Sequence, residues 1–302
     1  MLKTQKILPI KRIFFTPNLF YSKELNNSPQ INKIKTLVSA AKKAQMACFI
    51  YGGVVRDLFL SEYTGSDSNN TDFDLMVDGN ALDFASILIT DLDLKLKKEW
   101  FFYNKPAVSL VSKDNFYSVS VVPFMGNGTK EERIFQDFCH SDFTLNMHTV
   151  ELNTMQEAGM YSYVPDISGI DLDFLNRRLR LNPLLFEFNS ENDFFLILLR
   201  ALKYKYRDDL IIDTETIPIL IEQISQQKEF DKRRHIHYLF KFFKSPFAKQ
   251  IYIDIKNMGV LSILFPTLEN LGFEQFEKEI SKMEGEWNNK ITSGKIKISI
   301  EL

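Results

Sequence analysis

Apolar positions in the first part of the chain switch between two periods. Over 30–47, Ile31, Ile34, Leu37, Val38 and Ala41 recur at helical spacing and predict a helix buried along one face. The run CFIYG that follows predicts a short buried strand. Gly52 and Gly53 then predict a tight turn into a second helix, VVRDLFLSEY. TGSDSNN at 64–70 is a polar loop, TDFDLMV a strand, and DGNALDFASILITDL a helix with Asp78 or Asn80 near its cap. Apolar or alternating runs around 106–112 and 116–124 predict more strands. Together they predict a small mixed sheet with helices on one face over about 45–155.

Beyond about 185 the strand signals fade. NDFFLILLRALKYKY, TIPILIEQIS, FDKRRHIHYLFKFFKS and PFAKQIYIDIKNMGVLSILF all read as helices, and the stretch from about 270 is polar and rich in Lys and Glu. The expected class is α+β, with a boundary near Pro183. The expected organisation is an N-terminal extension over 1–29, disordered or targeting, a sheet domain over 30–183 and a helical region over 184–302.

Composition narrows the options. A net charge of −2 excludes a globally basic nucleic-acid binder, so any RNA contact must come from a local patch. The 27 phenylalanines read as core filling. Two distant cysteines, Cys48 and Cys139, favour a reducing, cytoplasmic setting over a disulfide framework. No apolar run reaches the roughly 18 residues a membrane span needs, so no membrane partner is expected. The four histidines form no metal-spaced cluster. KRRHIH at 232–237 is a local basic run, read as a solvated helix face or an RNA-backbone contact.

The candidate chemistry lies at 51–77. A glycine turn lets backbone N–H groups approach a phosphate closely. Asp72 and Asp74, spaced i, i+2, point to one face of an extended strand. Two carboxylates beside a phosphate cradle suit a divalent metal and a nucleotide.

GGVVRDLFL, DFD, HSDFTLN, LRALKY and RRHIHYLFKFFKSP leading to MGVLSILFPTL occur in that order from about 48 to 268, with Asp166, Asp173, Leu179 and Arg180 partly matching a further motif. In this order they resemble the class II CCA-adding tRNA nucleotidyltransferase and bacterial poly(A) polymerase family, within the DNA polymerase β-like nucleotidyltransferase superfamily. The resemblance implies a nucleotidyltransferase head followed by a helical neck and a truncated body. It implies Mg²⁺ on Asp72 and Asp74 and two-metal phosphoryl transfer from a nucleoside triphosphate, ATP or CTP, to an RNA 3′ end, tRNA or another. It implies a phosphate cradle at Gly52 and Gly53, a charge-assisted contact from Arg56 beside Asp57, support from Asp142 and Asn146, and a nucleotide contact from Arg200.

Several positions depart from the family pattern. His140 and Ser141 stand for its paired arginines. Phe194 and Ile197 stand where its EDxxR motif carries the base-reading Asp and Arg, and Ser120 replaces a third carboxylate. Altered base selection is therefore expected. The alternatives are a catalytically degenerate relative that binds nucleotide, RNA or a protein partner, and a transferase with a non-RNA acceptor. Oligomeric state is not legible.

Overall fold

The computed structural model of the chain describes residues 10–15, 29–64, 72–102, 104–124, 128–154, 160–188, 193–227 and 231–292. They divide into two units, one within Met1–Asn176 and Asn182–Asn189, the other within Arg177–Leu181 and Ser190–Leu302.

The first unit is built on one eight-stranded mixed sheet. In chain order it runs β1 (Ile10–Phe15), α1 (Pro29–Ala44), β2 (Cys48–Tyr51), α2 (Gly53–Thr64), β3 (Asp72–Val77), α3 (Ala81–Leu92), β4 (Leu94–Phe102), β5 (Lys105–Ser112), β6 (Ser118–Pro123), α4 (Lys130–Cys139), β7 (Thr149–Glu151), β8 (Met160–Pro165), α5 (Ile170–Leu175) and α6 (Leu185–Phe188). The strand order is β1-β8-β7-β2-β3-β6-β5-β4. Only the central β3–β6 pair is parallel.

Central position explains the apolar run at the end of β3. Leu75, Met76 and Val77 are all buried because both faces of the sheet are covered there. On one face Phe49, Met76 and Val122 pack with Ile134, Phe135 and Phe138 of α4. The alternate positions Ile50, Leu75 and Val121 are equally buried, and α3 packs against α1, β5 and β6. The expectation of helices on one face is thus corrected by α4. Its start is fixed by a capping box: the Thr129 hydroxyl accepts from the Glu132 N–H at 3.2 Å, and the Glu132 carboxylate accepts from the Thr129 N–H at 2.8 Å. Asn80 caps α3 by accepting from the Leu82 N–H at 3.0 Å.

Ile10–Phe15, inside the expected N-terminal extension, pairs antiparallel with β8 as an edge strand. The other residues of 1–28 lie outside the described residues. Beside this edge, buried Glu151 accepts from the Tyr163 hydroxyl at 2.6 Å and from Lys130 Nζ at 3.1 Å, with Arg12 at 3.6 Å. These partners supply the hydrogen bonds and counter-charge that a buried carboxylate requires. Cys48 and Cys139 are buried free thiols.

The second unit holds a two-stranded parallel sheet, β9 (Arg178–Leu179) with β10 (Ile211–Ile212), and the helices α7 (Phe194–Arg207), α8 (Thr216–Gln226), α9 (Lys232–Phe242), α10 (Ala248–Asn257), α11 (Val260–Leu264) and α12 (Phe273–Thr292). The single helical pattern expected over 246–265 is cut in two at Gly259, whose φ of 72° ends one helix and starts the next. Phe276 is fully buried, with ring contacts to Phe243, Tyr252 and Phe265, so part of the phenylalanine excess fills this core. In the basic run on α9, His235 and Ile236 are buried and Arg233 stacks over the Trp287 ring at 5.4 Å. Among the described residues, no helix is long and apolar enough to cross a membrane.

Candidate active site

β2 delivers the chain into the glycine turn. Gly52 has a φ of 72°, a left-handed conformation that a side chain would strain. That turn lets α2 start at Gly53, directly off the strand end. The first amides of any helix have no intrahelical acceptor, and Gly52 has no side chain to cap them. β3 lies beside β2, with Tyr51 the Cα partner of Asp74. A Cβ built on Gly52 would stand 3.5 Å from Asp74 Oδ2, so the carboxylate adjoins the backbone of the turn.

Asp72 and Asp74 share a face, as the strand period requires. Asp72 is exposed and Asp74 partly so. The Ser118 hydroxyl donates to Asp72 Oδ1 at 2.5 Å. Ser120, standing where the family resemblance expects a third carboxylate, is the β6 partner of Asp74. Among the described residues, no group of three or more His, Cys, Asp and Glu side chains is placed to hold a metal ion. The chemistry of the pair nonetheless fits Mg²⁺. The ion takes hard oxygen ligands, is commonly held by one or two carboxylates, and completes its shell with water and substrate phosphates.

Arg56, Asp57 and Asn146 come together through the Arg56 guanidinium. Arg56 is only 2% exposed. Its guanidinium donates to Asp57 Oδ1 at 2.5 Å and to Asn146 Oδ1 at 3.2 Å, and its backbone N–H donates to Gly52 O at 3.1 Å. Asp142 stands four residues before Asn146, and its carbonyl accepts from the Asn182 N–H at 3.0 Å. Ser141 donates to Asn146 O at 3.4 Å. Desolvation lowers the imidazole pKa of His140, which stands at the first of the two arginine positions. Arg200 lies at an exposed position of α7 in the second unit.

One acid escaped the sequence reading. Asp137, on α4, is electrostatically coupled to Asp74. Burial and then the Asp74 charge push its carboxyl up to about 7. Tyr51 reports the same neighbourhood: burial, then Asp137, then Asp74 raise its phenol well above the ordinary value. The sequence signal for this helix is T-x-x-E at 129–132 ahead of Ile134, Phe135 and Phe138.

At the start of α7 the chemistry is different. Phe194 and Ile197 are 9% and 3% exposed and belong to the core. Asp193 caps the helix, accepting from the Leu196 N–H at 3.1 Å. It also faces His235 at 3.3 Å and Arg234 at 3.4 Å. Burial raises its carboxyl pKa, but the His235 contact and the Leu196 N–H outweigh that and hold it low.

No family model matches the sequence, and no curated protein sequence matches it. Solved structures share its fold. A CCA-adding enzyme in complex with CTP is 24% identical with a TM-score of 0.66, over 84% of this chain and 57% of that one. The Thermotoga maritima CCA-adding enzyme complexed with tRNA is 24% identical with a TM-score of 0.63, over 84% and 56%. A tRNA nucleotidyltransferase complexed with a primer tRNA and an incoming ATP analogue is 18% identical with a TM-score of 0.58, over 87% and 71%. The chain spans a little over half the length of the first two. The fold is that of these nucleotidyltransferases, a mixed-sheet domain followed by a helical region.

Proposed function

We propose that this chain is a nucleotidyltransferase that moves a nucleotidyl group from a nucleoside triphosphate, ATP or CTP, to an RNA 3′-hydroxyl, of tRNA or another RNA. The observation that carries the reading is the Asp74 carboxylate against the Gly52 turn, with Asp72 on the same strand face. The solved structures of this fold that hold CTP, ATP or tRNA support it.

The residues divide the work by chemistry. The amides at the start of α2 receive the triphosphate, where the helix dipole favours negative charge. Arg56, clamped by Asp57 and Asn146, fixes the turn from behind. Asp72 and Asp74 would hold Mg²⁺, which would supply charge neutralisation for the triphosphate and its leaving group. The hydroxyl oxygen forms a bond to the α-phosphorus as its proton passes to solvent, the bond from that phosphorus to the bridging oxygen breaks, and pyrophosphate leaves. Ser118 orients Asp72 through its hydrogen bond.

Base choice differs from that of a templating neck. Buried Phe194 and Ile197 present no hydrogen-bonding edge, so selection by an Asp–Arg pair at those positions is not available. That observation also favours a second reading, a nucleotide-binding relative without turnover or with a non-RNA acceptor. Incubation with labelled nucleoside triphosphates, Mg²⁺ and an RNA pool separates the two. The transferase reading expects labelled RNA from wild type and a loss of more than about a thousandfold in Asp72→Ala/Asp74→Ala. Equal labelling by both proteins ends it. Nucleotide binding with no labelled product selects the second reading.

A further inference from the structure

The register of the sheet carries one continuous row of partners across all its strands. The row runs Arg12, Tyr163, Thr149, Tyr51, Asp74, Ser120, Ser109 and Lys98. A second row, two residues along, runs Asp72, Ser118, Val111 and Lys95. Paired residues in a sheet present their side chains to one face. Lys95 and Lys98 therefore stand on the face that carries Asp72 and Asp74.

Three residues apart, these lysines would alternate faces in a regular strand. The register shift between Leu96 and Lys98 on β4 brings them to the same side. Between the lysines and the acids the floor is made largely of small hydroxyls, Ser109, Ser118 and Ser120. β4 lies three strand spacings from β3, about 14 Å, a gap that an extended RNA strand covers in a few nucleotides.

Lysines on an edge strand ordinarily protect it from pairing with another sheet. That role requires charge but no particular face. Here two of the three lysines on β4 share one face. The opposite side of β4 carries buried Leu94, Leu96 at 50% and Phe101 at 71% exposure, and Glu99. The side toward the acids carries Lys95, Lys98 and Trp100, with Lys98 Nζ 5.9 Å from the Trp100 ring. Cations beside an aromatic ring, leading over a hydroxyl floor toward two carboxylates, match a phosphate backbone with an unpaired base.

We propose that this β4 face is the entry lane for single-stranded RNA. Lys95 and Lys98 bind the backbone phosphates just upstream of the 3′-hydroxyl presented at Asp72 and Asp74. The inference rests on the transferase reading for the direction of the strand.

The test measures binding of a 5′-labelled single-stranded oligoribonucleotide to the full chain by fluorescence anisotropy at several salt concentrations. Lys95→Glu/Lys98→Glu is expected to lose at least about tenfold in affinity, with Lys95→Ala/Lys98→Ala losing less. In the alanine variant the slope of log affinity against log salt should fall by about 1.4. Lys42→Glu/Lys249→Glu, an equal charge change at exposed positions elsewhere, is expected to change affinity less than about twofold. Equal losses in the lane and control variants, or no loss in the lane variants, overturn the proposal. Should the glutamate variant fail to melt like wild type, the alanine variant decides alone. Labelling of RNA by wild type and by Asp72→Ala/Asp74→Ala from labelled ATP and CTP with Mg²⁺ is measured alongside. Equal labelling of RNA by wild type and by that variant defeats the transferase reading while leaving the lane result to stand or fall by itself.

Discussion

Two helix starts in this chain solve the same problem in opposite ways. α2 begins on Gly52 and Gly53, which offer no side chain to its first amides, and the Asp74 carboxylate adjoins the turn. α7 begins on Asp193, which spends its carboxylate on the Leu196 N–H and on buried His235. An open helix start can receive an anion, whereas a capped one is already satisfied. The turn where we propose phosphate binding therefore begins on residues with no side chain of their own. The position where the resemblance places base reading has become structural.

The largest test rewrites the closed end. Phe194→Asp/Ile197→Arg restores the residue types of a base-reading pair at buried positions. Unpaired charges there are expected to cost about 3–5 kcal/mol in urea unfolding. A variant as stable as wild type that gains preference for one nucleotide would break the comparison. Next, Asp193→Ala removes the cap and leaves His235 and Arg234 without their carboxylate, for an expected loss of about 2–4 kcal/mol. Asp193→Asn keeps an acceptor for the Leu196 N–H and should lose clearly less. Equal losses would mean that capping contributes nothing.

At the open end the sign reverses. Asp137 has a folded pKa of about 7 against an ordinary 3.8. Between those values the folded chain keeps a proton that the unfolded chain releases. Stability must therefore fall as pH rises through that window. In divalent-free buffer, Asp137→Asn should flatten that decline and be the more stable protein above pH 7, by about 1–3 kcal/mol. Parallel pH profiles for variant and wild type would show that the Asp137 carboxyl titrates alike in the folded and unfolded chain. The smallest stability change is expected from Gly52→Ala, about 1 kcal/mol, because the left-handed φ strains alanine while the space for its Cβ is ordinary. Nucleotide affinity should fall in the same variant. Unchanged affinity would argue that the turn does not cradle phosphate.

What the sequence by itself determined is local. A switch from helical to alternating period marked α1, β2 and β3. Paired glycines marked the turn, and i, i+2 spacing put Asp72 and Asp74 on one face. Each of these depends on the geometry of a few consecutive residues. Tertiary structure decided the rest. Ile10–Phe15 became a strand only because β8 offers an edge. Asp137 met Asp74 only because α4 buries its apolar side on the sheet. A register shift against β5 turned Lys95 and Lys98 to one face. Phe194 and Ile197 were drawn into a core that only the packed helices create. Strand pairing and burial join residues far apart in the chain, and their free energy depends on neighbours that a local pattern does not name.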